Sequence, residues 1–351
     1  MNTDVKNMKS YIAMVADGQV LSESEAEEAF NIIMSGDATP AQVGGFLMSL
    51  RVRGEAVSEI TGAARVMRAK ALFIEAPDNA MDIVGTGGDG IGTYNISTGS
   101  ALVLAGCGIP VAKHGNRALS SKSGAADVLT ALGMNNEANF DLVKKSIWEA
   151  GIGFLMAPRH HSATRHVSGP RVELATRTIF NLLGPISNPS GVKRQLTGVY
   201  SRDWIEPIAH TLKNLGCERT WVVHGSDGTD ELTTKGPSYV ASLENGTVNT
   251  FEVSPSDAGL PESKSGDLKG GDAEYNAAAI LSMLESEASP YRDVVLYNAA
   301  AALVIADKVE DLKNGVAMAA DAIDNGNAKK VLDKMIKITN STHDTVGEKV
   351  A

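Results

Sequence analysis

Over the first 75 residues the apolar positions recur at helical spacing, and no stretch alternates as a strand would. Ser22 with Glu25 three positions on is a capping-box signature; Ala26, Ala29, Phe30 and Ile33 then follow on one face, and Gly36 closes the segment. Thr39-Pro40-Ala41-Gln42 starts a second helix, with Thr39 as cap and Pro40 in the first turn, ending at Gly54 after Leu47, Leu50 and Val52. A third runs from about residue 57 to 70. Three short amphipathic helices predict a small all-α domain over residues 1–75, with an apolar face left over for the main body or another subunit.

From Met81 onward the pattern changes to short apolar runs separated by helical stretches. Strands are expected near 82–84, 110–113, 152–156, 196–200 and 219–224, and helices over 123–132 and 140–150, closed by Gly133 and Gly151. Residues 165–190 read as helical again. Residues 255–272, rich in Ser, Gly, Pro, Lys and Asp, read as an exposed loop, and three alanine-rich helices follow over 274–285, 290–307 and 310–325. The alternation predicts an α/β fold, with a large domain (76–351) built on a mostly parallel central sheet flanked by helices.

One junction stands apart from core packing. Five glycines occupy the eight positions from 85 to 92, between the strand at Met81 and an apolar helix for which Ser97 or Thr98 is the expected cap. Such a unit lets backbone N–H groups approach an anion at the positive end of a helix. Gly85-Thr-Gly87-Gly-Asp-Gly90 also fits the dinucleotide fingerprint, which requires an acidic residue about 20 positions later. No Asp or Glu lies between Gly90 and Ala126; the charges there are Lys113, Arg117 and Lys122. That excludes the dinucleotide reading and favours a phosphate-rich ligand.

Net charge −10 and a pI near 5.3 argue against nucleic acid as a partner, so the basic cluster at 113–122 is a local site. Cys107 and Cys217 sit on apolar stretches without metal-ligand spacing and are expected to be buried thiols. There is no apolar run of membrane-spanning length and no basic leader before one, so no membrane partner is expected and a cytoplasmic location is.

Two segments, Gly85-Thr-Gly-Gly-Asp89 through Thr93, Asn95, Ser97 and Thr98, and Lys113-His-Gly-Asn-Arg117, resemble the anthranilate phosphoribosyltransferase family, and the resemblance runs almost to the C-terminus. It implies phosphoribosyl transfer from phosphoribosyl pyrophosphate to anthranilate, with two magnesium ions per site and a homodimer formed through the helical domain. The donor would be held by Gly85, Gly88, Asp89, Thr93, Asn95, Ser97, Thr98, Lys113, Asn116, Arg117, Ser121 and Ser123, with Lys113 neutralising pyrophosphate. The alternative for Asp89 is a turn residue that stabilises the loop. The acceptor would meet Gly85, His114, Asn116, His161 and Arg171, the last facing its carboxylate. Ser97 and the pair Asp230-Glu231 would face the metal, whose preference is for hard oxygen ligands. No general acid or base is implied, because anthranilate's weakly basic amine is already neutral.

The chain departs from the family at His161-Ser162-Ala163-Thr164, where H-P-A-M is usual, which bears on the acceptor channel. His160 is expected on the surface. Arg177-Thr-Ile-Phe-Asn-Leu-Leu-Gly184-Pro185 is expected to brace a hinge without touching ligand. Pyrimidine nucleoside phosphorylases share the implied architecture but carry K-H-S-x-G-G at the lysine motif. Nucleic-acid-binding proteins of the same fold lose the glycine loop and carry basic surfaces, and neither trait is present here.

Overall fold

The computed structural model describes residues 7–118 and 122–341; Ser121, expected to contact phosphate, lies outside them. Four helices open the chain: α1 Met8–Ala16, α2 Glu23–Ser35, α3 Pro40–Arg53 and α4 Val57–Ala69. α2 and α3 begin on complete capping boxes at Ser22/Glu25 and Thr39/Gln42. α1 is one helix more than the sequence predicts. Asn7 caps it by accepting from the Lys9 and Ser10 amides, and Met8, Tyr11 and Val15 bury one short face. Val52, placed by its spacing with Leu47 and Leu50, is instead 82% exposed at the end of α3.

The helix Arg165–Leu174 comes back to pack against α2 and α3, and Phe180 sets its ring 5.9 Å from Phe30. Both belong to a core shared by the N-terminal helices, the helix Ile205–Asn214 and one face of the sheet. The opposite face is covered by the helices Ile96–Gly106, Pro290–Ile305, Leu312–Asp324 and Asn327–Thr339. Alternation along the strands divides the cores: Val222 enters the first and Val223 the second.

Seven strands form one sheet: β1 Met81–Gly85, β2 Val111–Gly115, β3 Ile152–Met156, β4 Arg194–Gly198, β5 Arg219–Gly225, β6 Ser238–Glu244 and β7 Thr247–Val253. Their order is β3-β2-β1-β4-β5-β6-β7; β1 to β5 run parallel, and β6 and β7 add antiparallel at the edge. These last two strands are additional to those the sequence predicts. Their signal was Asn245-Gly246, with φ of 50° and 74°, the residue pair favoured in a tight hairpin turn. The chain moves outward from β1 to β3, then crosses back to lay β4 on the other side of β1. Loops after β1 and β4 therefore diverge at the carboxyl ends of the strands, where open α/β sheets form their ligand crevice.

Candidate active site

The glycine loop leaves β1 with Gly87, Gly88, Gly90 and Gly92 all at positive φ, a backbone path that side-chain-bearing residues resist. Asp230 sits beneath it, its Oδ2 accepting from the Gly87 amide at 2.7 Å. The strand-end glycines make room for this residue. A Cβ at Gly85 would stand 2.3 Å from Asp230 Oδ2, and one at Gly198 would stand 1.5 Å from the Asp230 carbonyl oxygen. Neighbouring Glu231 accepts from the Ser97 amide at 3.1 Å, at the start of the helix Ile96–Gly106. This corrects the expected cap: Ser97 and Thr98 lie within the first turn, Asn95 is the capping residue but makes no side-chain cap bond, and a carboxylate from 134 residues away meets the free N–H. The Thr98 hydroxyl is buried there without a hydrogen-bond partner.

Other parts of the chain fix the same loop. Asp89 Oδ1 accepts from the Ile91 amide at 3.1 Å, the turn-forming role. Arg177 donates to the Gly88 carbonyl while its guanidinium lies 4.2 Å from the centre of the Tyr200 ring, so this residue holds the glycine loop, a contact the hinge expectation did not include. The expected exposed loop over 255–272 also does more than cross the surface. Gly270 N donates to Gly92 O at 2.9 Å, Tyr94 N to Leu268 O at 3.2 Å, and Thr93 pairs with Lys269 across an antiparallel bridge. Asn95 is a tie point, its Oδ1 accepting from Ser123 Oγ at 3.1 Å and Asn276 Nδ2 at 2.9 Å. Sequence reading missed Arg177, Asn276 and the 268–270 strap; only Gly270-Gly271 hinted at close backbone approach.

β2 contributes Lys113 and His114, adjacent and therefore on opposite faces of the sheet. Lys113 is 2% exposed and donates from Nζ to the Ile83 carbonyl at 2.7 Å; burial lowers its pKa, opposed by attraction to Asp82 and Glu231. Beyond the strand Asn116 and Arg117 are exposed, Arg117 with its guanidinium 4.0 Å from Asp127. His114 faces His161, ring centres 5.1 Å apart at 62°. His114 Nε2 and both ring nitrogens of His161 are buried without a well-formed hydrogen bond, although backbone groups of Gly184 beside His114, and of Met67 and Ser187 beside His161, interact with the rings. Burial first, then the neighbouring histidines, holds both imidazoles neutral: His114 well below its usual range, His161 down to about 4.

Arg171, on the helix Arg165–Leu174, packs its guanidinium 5.3 Å from the centre of the Phe180 ring. Burial lowers its pKa, and it has no salt bridge among the described residues. His160 is a correction: it is 1% exposed, with Nδ1 2.7 Å from the Leu72 carbonyl and its ring against Phe140. The short helix Ala157–His160 after β3 carries it inward. The altered motif forms a 3-10 turn, Ser162–Thr164, with Thr164 Oγ1 donating to His161 O at 2.7 Å. Of the two cysteines, Cys217 is buried and Cys107 only partly so.

The acidic pair is short of positive charge. Burial, then the neighbouring carboxylates, pushes Asp230 up to about 6 and Glu231 up to about 8. A cation placed beside them would displace protons and restore both charges. Among the described residues no group of three or more His, Cys, Asp and Glu could hold a metal. Two adjacent carboxylates beneath the glycine loop fit magnesium, which keeps waters and takes few protein ligands.

Residues 77–329 match the profile of the glycosyl transferase family, a/b domain, and residues 9–71 that of the glycosyl transferase family, helical bundle domain. An anthranilate phosphoribosyltransferase of Paramagnetospirillum magneticum is 62% identical over 95% of this chain and 97% of its own. The crystal structure of the Thermus thermophilus anthranilate phosphoribosyltransferase superposes with a TM-score of 0.89 at 40% identity, covering 94% of this chain and 99% of that one. The Saccharomyces cerevisiae enzyme in complex with phosphoribosyl pyrophosphate and Mg gives 0.85 at 29% identity, covering 95% and 98%. With its glycine loop, its acidic pair and a relative this similar over nearly its whole length, the chain belongs to the glycosyl transferase family and, within it, to the anthranilate phosphoribosyltransferases.

Proposed function

We infer that this protein transfers the 5-phosphoribosyl group of phosphoribosyl pyrophosphate to the amine of anthranilate, releasing pyrophosphate, as a step of tryptophan biosynthesis. The observation that carries the reading is a glycine loop of backbone donors set over the adjacent carboxylates Asp230 and Glu231 at the carboxyl end of β1. The division of labour follows the two faces of the sheet. On one, Gly85, Gly88, Asp89, Thr93, Asn95, Ser97, Thr98, Lys113, Asn116, Arg117, Ser121 and Ser123 bind the donor. On the other, His114 and His161 line the acceptor site together with Gly85 and Asn116, which serve both sides, and Arg171, without a salt bridge among the described residues, meets the anthranilate carboxylate.

Ser97, Asp230 and Glu231 would hold magnesium, two ions per site, which supplies charge neutralisation for the departing pyrophosphate. Lys113 adds positive charge at the same place, and leaving-group stabilisation of this kind supplies most of the rate. The neutral histidines shape the pocket without protonating the acceptor amine, which must keep its lone pair for attack at C1′. We further propose a small helical domain over 1–75 joined by the returning segment 165–190, a large domain over 76–351, a homodimer through the helical domain, and a cytoplasmic location. No helix among the described residues is long and apolar enough to cross a membrane, and the exposed Val20 and Val52 lie on the helical segment.

Loss of anthranilate fluorescence on mixing protein, phosphoribosyl pyrophosphate and Mg²⁺ is the test, with EDTA as control. Metal-dependent loss is expected; a flat signal from folded protein overturns the reading.

A further inference from the structure

The sheet has a gap at its centre. β1 pairs with β4 through five residues, and β2 with β3 through five, yet β1 and β2 share only Met81–Val111. Met81 N donates to Pro110 O at 2.9 Å, which sets the register. A parallel ladder continuing from there would join Ile83 N–H to the Ala112 carbonyl and His114 N–H to the Ile83 carbonyl.

Side chains have taken those places. The buried Asp82 carboxylate accepts from the His114 amide at 3.1 Å. The Asn188 amide, 2% exposed, donates to the Ala112 carbonyl at 2.8 Å and to Asp82 Oδ2 at 2.8 Å. Lys113 Nζ takes the Ile83 carbonyl at 2.7 Å. Three polar side chains thus stand where one rung of backbone hydrogen bonds belongs. The substitution is costly, since it buries two opposite charges and an amide in the middle of a sheet, and breaking one partner leaves the others unsatisfied. It also lies where β1 and β2 must separate, one leading into the glycine loop and the other presenting Lys113 and His114.

We propose that Asp82 and Asn188 are positioning residues for the phosphoribosyl transfer: they wedge β1 from β2, open the crevice at the carboxyl ends of both strands, and fix where Lys113 and His114 stand. Neither touches substrate in this scheme. The inference rests on the proposed function insofar as Lys113 serves the leaving pyrophosphate.

Calorimetric binding of inorganic pyrophosphate with Mg²⁺, alongside steady-state kinetics, tests it. Asn188→Ala is expected to weaken pyrophosphate binding and lower kcat by at least about tenfold each, while the anthranilate KM, reached only through His114, rises by less, about threefold. Asp82→Asn keeps an acceptor for the His114 amide and is expected to lose less than Asp82→Ala. A merely structural role predicts neither that order nor the split between kcat and KM. Folded variants with wild-type pyrophosphate affinity and kcat overturn the proposal. Absence of pyrophosphate binding by the wild-type protein would count against the functional reading instead. Should the variants fail to fold, a crystal structure of the wild-type protein with pyrophosphate decides. A gap still spanned by Asp82 and Asn188 supports the wedge, and an Ile83 N–H paired with the Ala112 carbonyl overturns it.

Discussion

The two sides of the site are built on opposite principles. Around the glycine loop nearly every group has a partner: Asp230 on Gly87, Glu231 on Ser97, Asn95 between Ser123 and Asn276, Gly270 on Gly92. Around His114, His161 and Arg171 the polar groups are buried or half-buried, the imidazoles meet only backbone groups and without well-formed hydrogen bonds, and the guanidinium lacks any carboxylate among the described residues. The first side is organised before a ligand arrives, suiting a donor whose many phosphate oxygens need fixed positions. The second keeps its hydrogen-bonding capacity free, suiting a small planar acceptor with one carboxylate and one amine. Preorganisation costs least where the charge change is greatest.

Removing the charge from the organised side should have the largest effect. Asp230→Asn combined with Glu231→Gln is expected to cut turnover by about a thousandfold and to flatten its dependence on Mg²⁺ concentration. A double variant that still responds to the metal as wild type would remove these residues from the metal's site. On the acceptor side, Arg171→Ala is expected to raise the anthranilate KM by about 30-fold with kcat changed only a few-fold, the scale of one lost charged hydrogen bond. An unchanged KM would break the comparison, because Arg171 is the acceptor side's only cation in this scheme.

A pH experiment sharpens it. Glu231 is raised from 4.5 to about 8 by burial, so the native protein retains a proton there that the unfolded chain has released. Its contribution to stability is therefore full below about 4.5 and is lost as pH rises towards about 8. Mg²⁺ competes with that proton and binds better as pH rises. The Mg²⁺-induced rise in Tm is expected to be larger at pH 8 than at pH 6 by about 1–2 °C, equivalent to about 1 kcal/mol. Equal shifts at the two pH values, measured by scanning calorimetry, would mean that the pair is already ionised.

The smallest effect is expected at the altered turn. Thr164→Met removes one hydroxyl that bonds the His161 carbonyl, worth about 1 kcal/mol, so the anthranilate KM should move by no more than about fivefold. A larger change would show that this turn, and not Arg171, governs acceptor binding.

Much of this was legible in order of residues. The capping boxes of α2 and α3, the glycine loop, the lysine motif and five strands follow from local signals because caps, turns and periodicity act within a few positions. α1 escaped because its buried face is three residues long, although Gly18, at φ 83° just past its end, marked the stop. β7 escaped because an exposed edge strand such as Thr247–Val253 carries little apolar alternation, although Asn245-Gly246 marked the hairpin it forms with β6. His160 read as a surface residue because nothing near it in sequence predicts the Leu72 carbonyl that receives it.

The sequence by itself determined which chemistry the chain carries: a backbone anion cradle at Gly85–Gly92 without the acid of a dinucleotide site, a lysine ending an apolar strand, and a carboxylate pair. Tertiary structure alone decided how those parts act on one another. Glu231 meets Ser97 across 134 positions, Asn188 meets Asp82 across 106, and Arg177 meets Gly88 across 89. Such contacts depend on strand order and on the crossover that lays β4 beside β1, which no local pattern encodes. Burial then follows from packing, and burial is what shifts the carboxylates, holds the histidines neutral and gives the two sides their different character.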